Sequence, residues 1–94
     1  MREVLKETED FRCSLEMWGG FPLLHFGVFK FSKSIYKQWK NNWPGVLETL
    51  RLRGFTKIYA TPFEGDLRAK KLIEHFGFKL IRTVRGVHLM RRSI

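Results

Sequence analysis

The sequence predicts one α/β domain built on a mixed sheet, with elements in the order β-β-α-β-α-β-β. The period of its apolar residues changes from two to 3.6 and back along 94 residues. Phe11–Met17 alternates Phe, Cys, Leu and Met with Arg, Ser and Glu, the pattern of a strand with one buried face. Ile35, Trp39, Trp43, Val46, Leu47 and Leu50 fall on one face of a helix, with Lys33, Lys37 and Lys40 roughly opposite. Thr56–Leu80 reads as strand, short loop, amphipathic helix, Gly-Phe stop and the start of another strand.

Residues 1–10 are polar and are expected to fray or to form a short helical turn. After the Phe11–Met17 strand, Trp18-Gly19-Gly20 marks a turn. Phe21–Phe31 is then a nearly continuous apolar run, expected to be a central hairpin partner that is kinked or bulged at Gly27. Ser32 or Ser34 can cap the long helix. Pro44 predicts a kink or a break inside it, or two short helices with Pro44 opening the second. Gly54 closes that element after Arg51 and Arg53. A helical crossover through Ser34–Arg53 requires Thr56–Thr61 to run parallel to the Phe26–Phe31 strand. Pro62 ends Thr56–Thr61, and Glu64 and Asp66 supply negative charge at the next helix N-terminus. Ala69, Leu72, Ile73 and Phe76 form that helix's apolar stripe, and Gly77 suits the left-handed residue that stops it. Phe78–Val84 and Val87–Met90 read as strands joined by a hairpin turn at Arg85-Gly86.

A hydrophobic content of 44% argues against disorder, and no apolar run is long enough to span a bilayer. Glu3, Glu7, Glu9 and Asp10 make the first residues unlike a signal or transit peptide. One cysteine, Cys13, allows no intrachain disulfide, so a reducing, intracellular setting is expected and Cys13 is expected in the core. The net charge of +9 is uneven: −2 over residues 1–29 and +11 over residues 30–94. That balance favours anionic partners, among them nucleic acid and phosphorylated cofactors, without choosing among them. His25, His75 and His88 lack zinc-ligand spacing with Cys13 or with one another, which predicts no metal site.

The strand, the helix with Ala69, and the Gly77-Phe78 stop resemble the second half of the acyl-CoA-binding fold of the GNAT superfamily of N-acyltransferases. The resemblance covers roughly residues 11–90 and is concentrated in Ile58–Phe78. It implies that the parallel strands splay apart at one end and that the fold binds acetyl-CoA, its pyrophosphate at the amides of a helix N-terminus. It places the family's phosphate loop near Ser32–Lys37, making Ser32, Lys33, Ser34 and Lys37 the cofactor-binding candidates. No glycine occurs there, so close backbone approach to a diphosphate is hindered. The family's helix-start asparagine falls at Asp66, a further cofactor-facing candidate, and its proton-donating tyrosine falls at Ile73. These departures predict weak or silent transfer. Small GNAT-like proteins of tailed bacteriophages, including some internal virion proteins, are also similar. The matching pieces are Ser14–Met17, Gly20-Phe21-Pro22-Leu23, Ser32–Arg53 and Leu72–Phe78. That likeness implies a structural or host-interacting role, in the host cytoplasm or the virion, with a protein partner or a second copy.

Two residues carry the catalytic expectation that the resemblance implies. Glu16, on the first hairpin, occupies the position from which a carboxylate acts as general base toward an amine, and Tyr59 is the donor in place of Ile73. Each also has a plain structural reading, Glu16 as an exposed strand residue and Tyr59 as a sheet-surface one. His25 reads first as a structural histidine. Trp18, in a turn, is the tryptophan expected to be exposed, whereas Trp39 and Trp43 belong to the helix stripe that covers the sheet. A small basic nucleic-acid-binding protein is the alternative function, with the aromatics and lysines as a stacking groove.

Overall fold

The computed structural model describes residues 2–29 and 33–94. Six strands form one mixed sheet and two helices accompany it. In chain order they are β1 (Arg2–Glu7), β2 (Phe11–Trp18), β3 (Phe21–Val28), α1 (Lys33–Leu52), β4 (Lys57–Ala60), α2 (Leu67–His75), β5 (Lys79–Val84) and β6 (Val87–Ser93). Across the sheet the strands lie β1-β2-β3-β4-β6-β5. All neighbours are antiparallel except β3 and β4, which run parallel on either side of the α1 crossover.

The order has one strand more than expected. Residues 2–7 neither fray nor form a helical turn; they add an edge strand to β2, from Arg2 opposite Glu16 to Glu7 opposite Arg12. Four charged side chains hid it, and they are what an edge strand carries to discourage further pairing. Glu3 pairs with Arg53, which ties this edge to the end of α1.

The β2–β3 hairpin turns on Gly19 and Gly20, with φ of 55° and 86°, the two positive angles that a tight hairpin of matching twist requires. Its register is unbroken from Trp18 opposite Phe21 to Phe11 opposite Val28. Gly27 sits opposite Arg12 without a bulge, contrary to the expectation of a kink. The β5–β6 hairpin turns on Arg85 and Gly86 in the same way, with φ of 51° and 77°. Helix α1 runs unbroken through Pro44, so neither a break nor a second helix forms. Helix α2 stops as expected, Gly77 taking φ 90°. A side chain there would also crowd Arg92, whose guanidinium donates to the Phe76 carbonyl at 2.7 Å.

Both helices pack on one face of the sheet. Ile35, Trp39, Trp43, Val46, Leu47 and Leu50 of α1 and Leu72, Ile73 and Phe76 at α2 close over Phe11, Cys13, Leu15, Leu24, Ile58, Ala60 and Met90. Trp39 is wholly buried, its ring 4.1 Å from Phe11 and 5.7 Å from Phe76, centroid to centroid. The opposite face carries Ser14, Glu16, Leu23, His25, Tyr59 and Arg91, as strand pairing and alternation dictate. Among the described residues, no helix packs on it. Nor, among those residues, is any helix long and apolar enough to cross a membrane.

Candidate functional site

Strands β3 and β4 share a single register pair, Leu23 with Tyr59. Beyond it they diverge, because β3 follows β2 to Val28 whereas β4 ends at Ala60 and Pro62 turns the chain toward α2. The gap is a cavity of about 500 Å³. Leu24–Gly27 of β3 form one wall, Ala60–Phe63 the other, and Asp66, Ala69 and Ile73 of the α2 segment the third. Arg2, Arg12 and Ser14 border it from the β1–β2 side. Gly27 keeps this space open: its φ is not positive, and a Cβ there would find only the Arg12 carbonyl oxygen, at 3.9 Å. A glycine within a regular strand marks close approach by something other than its neighbours.

The resemblance-derived residues fall in different places. Asp66 borders the cavity, but its carboxylate caps α2 by accepting from the Ala69 N–H at 3.1 Å. Lys33, Ser34 and Lys37 lie exposed in the first turns of α1 and do not line the cavity; Gln38 donates to the Ser34 hydroxyl. Ser32 lies outside the described residues. Ile73 is 3% exposed, belongs to the core, and also forms part of the cavity floor. It therefore reaches the position of a cleft-facing side chain without offering a proton. Tyr59 is half-buried on the helix-free face, edge-on to Phe21 at 5.4 Å, and does not line this cavity.

Glu16 does not line the cavity either, but His25 does, and the two are joined. His25 Nε2 lies 2.7 Å from Glu16 Oε1, with Arg2 Nε 3.9 Å from the same oxygen. The His25 hydrogen bond, aided by the nearby positive charges, holds the Glu16 carboxyl below its ordinary range. The anionic Glu16 carboxylate accepts from His25 Nε2–H. The pair thus places a histidine at the cavity with a carboxylate bonded to its ring. Sequence reading treated these residues separately, although the hairpin could have joined them. A two-residue turn at Gly19-Gly20 sets Ser14 opposite His25 and Glu16 opposite Leu23, so Glu16 and His25 are diagonal neighbours on one face.

Other reactive groups stand apart. Cys13 is buried in the core, and burial pushes its thiol up to about 12, so it stays protonated. His88 is buried and exchanges a 2.7 Å hydrogen bond with the Thr83 hydroxyl. His75 packs edge-on against Tyr36. Among the described residues no three His, Cys, Asp or Glu side chains gather to hold a metal ion.

No family model matches the sequence, and no curated protein does. Among solved structures the chain resembles a domain from Methanocaldococcus jannaschii DSM 2661, with 19% identity and a TM-score of 0.71. The likeness covers 97% of this chain and 63% of that one, so this chain spans under two thirds of its neighbour's length. At that identity the shared property is the fold: an α/β domain with a mixed sheet.

Proposed function

We propose that the chain is a GNAT-like domain that binds an acyl-CoA thioester between β3 and β4 and transfers its acyl group slowly to an amine. The divergence of two parallel strands after one register pair carries this reading, because it opens a cavity in the middle of a sheet where pairing would otherwise continue. The pantetheine arm would run along β3 past Gly27, and the basic start of α1, Lys33 and Lys37, would meet the phosphates. The acceptor nitrogen attacks the thioester carbonyl carbon; a C–N bond forms, the C–S bond breaks, and the thiolate leaves with the electron pair. His25, oriented by Glu16, takes the proton released by the amine. Ile73 gives the thiolate no proton, and this supports slow turnover in place of efficient catalysis.

Calorimetric titration at physiological salt tests the reading, with acetyl-CoA, CoA alone and a single-stranded oligonucleotide. Saturable binding of acetyl-CoA that weakens several-fold in Lys33→Ala/Lys37→Ala supports it. Binding of the oligonucleotide alone would move the chain to the nucleic-acid-binding class that its charge of +9 also suits.

A further inference from the structure

Helix α1, the end of α2 and β6 enclose a further cavity, of about 390 Å³, that shares no lining residue with the acyl-CoA cleft. Lys40, Trp43 and Pro44 fall at i, i+3 and i+4 of α1 and face it together, across from His75 and Phe76 of the α2 end and Arg92 of β6. Every titratable side chain that lines it is basic, and no carboxylate does. Neither Lys40 nor Arg92 has an ion-pair partner among the described residues. Arg92 is nevertheless held in place. Its guanidinium lies over the Trp43 ring, 5.7 Å from the centroid, and donates to the Phe76 carbonyl at 2.7 Å. The last carbonyls of α2 would repel an anion, and Arg92 covers one of them while keeping further N–H donors uncommitted among those residues. Burial, and then the positive charge of Arg51, hold this guanidinium below its ordinary range; an anion beside it would offset both. The buried indole N–H of Trp43 also has no acceptor among the described residues. At the mouth, the exposed ring of His75 stands edge-on to Tyr36, 5.9 Å between centroids.

We propose that this cavity holds a nucleotide, its phosphate between Lys40 and Arg92 and its base against His75 and Pro44. The pairing of cations with rings at one opening selects that ligand. A phosphate answers the cations, and the flat face of a base answers the rings. An acidic side chain would use the cations and leave the rings bare. The charge of the chain agrees, since every residue of the site lies within 30–94, the part that carries +11. A free nucleotide and one unit of a single strand share this chemistry. Tyr36 favours the strand, because it offers a second ring beside His75 on which the next base can stack. The site goes beyond the acyl-CoA reading and does not rest on it.

The test is fluorescence anisotropy of a labelled single-stranded hexanucleotide of mixed bases with the whole chain, over a series of salt concentrations. Unlabelled hexanucleotide, adenosine monophosphate and acetyl-CoA serve as competitors. His75→Ala should weaken binding about fivefold or more through lost stacking. Lys40→Gln should weaken it several-fold and lower the slope of log affinity against log salt by about 0.7, the share of one phosphate contact on a single strand. Both positions are exposed, so the denaturation midpoint should stay unchanged. Arg82→Gln removes the same charge from the opposite face of the sheet, where Arg82 pairs with Leu89, next to the core residue Met90. It should leave binding unchanged. Competition by the hexanucleotide at least about tenfold better than by adenosine monophosphate assigns the cavity to a strand; equal competition assigns it to the free nucleotide. Equal weakening by Lys40→Gln and Arg82→Gln would reduce the binding to diffuse charge attraction and overturn the proposal, as would no anisotropy change at low salt. Displacement of the strand by acetyl-CoA, with Lys40→Gln weakening both ligands alike, would give the cavity to the adenosine end of that cofactor and also overturn it. Binding of the strand undisturbed by acetyl-CoA leaves the site standing whether or not the cleft holds acetyl-CoA.

Discussion

Strand β3 has two edges, and they behave differently. Toward β2 it is paired along its whole length, from Phe21 to Val28. Toward β4 it is paired at Leu23 alone. The same eight residues are therefore scaffold on one side and cavity wall on the other. The closed edge gains from a two-glycine turn and from Phe11 and Phe26 packing on Trp39. The open edge gives up main-chain pairing, a loss that an occupant could offset with its own polar groups. A cleft made this way inherits the rigidity of the hairpin that forms its wall.

Breaking the closed edge should have the largest effect. Phe11→Ala removes a fully buried ring from Trp39 and should cost about 3–5 kcal/mol, read as a lowered denaturation midpoint. A change under about 1 kcal/mol would mean that the hairpin is not what holds β3 in place. Ile73 comes next, because it serves both the core and the cleft. Ile73→Ala should cost roughly 2–5 kcal/mol. Ile73→Tyr sharpens the comparison: a hydroxyl reaching the cleft should raise acetyl transfer to a generic amine, and loss of stability with no gain in turnover would assign Ile73 to the core alone.

Gly27→Phe addresses the open edge by itself. The φ of Gly27 is ordinary and nothing but the Arg12 oxygen, at 3.9 Å, is near a Cβ. The chain should fold with its denaturation midpoint nearly unchanged, while acetyl-CoA affinity falls at least about tenfold. Undiminished affinity would place the cofactor outside this cleft. The smallest effect concerns Glu16. Its carboxyl is held below the ordinary 4.5 by His25, so its contribution is present above that value and is lost as pH falls through the lowered one. Glu16→Gln should therefore be slightly less stable at neutral pH, with the difference closing in acid. A difference that persists at strongly acidic pH would point to packing as the cause.

Period and turn chemistry made most of the fold legible. The β2–β3 hairpin, the α1 stripe, the parallel β4 and the Gly77 stop all follow from local rules. Strand β1 was not legible, since REVLKE half-buries only Leu5 and otherwise shows charge. Gly27 was legible as unusual and not as to why: a bulge and a cavity both call for glycine in a strand, and only the position of β4 decides between them. Pro44 was over-read, because its exposed side of α1 accommodates the ring without breaking the helix. The cleft itself depends on where two strands part, a distance that no local pattern encodes. Taken alone, His25 reads as structural; the register of the Gly19-Gly20 hairpin is what brings Glu16, nine positions away, beside it.

The three tryptophans divide the molecule optically. Trp39 is fully buried and Trp43 is 6% exposed, both without a hydrogen-bond partner for the indole N–H among the described residues, whereas Trp18 is 70% exposed on the helix-free face. The two buried indoles should emit at short wavelength and be shielded from aqueous quenchers; Trp18 should emit at long wavelength and be quenched by iodide, which the chain's positive charge attracts. Unfolding shifts the emission of the first two, while an occupant of the helix-free face shifts and shields only the third. The protein thus carries separate intrinsic signals for whether it is folded and whether that face is occupied.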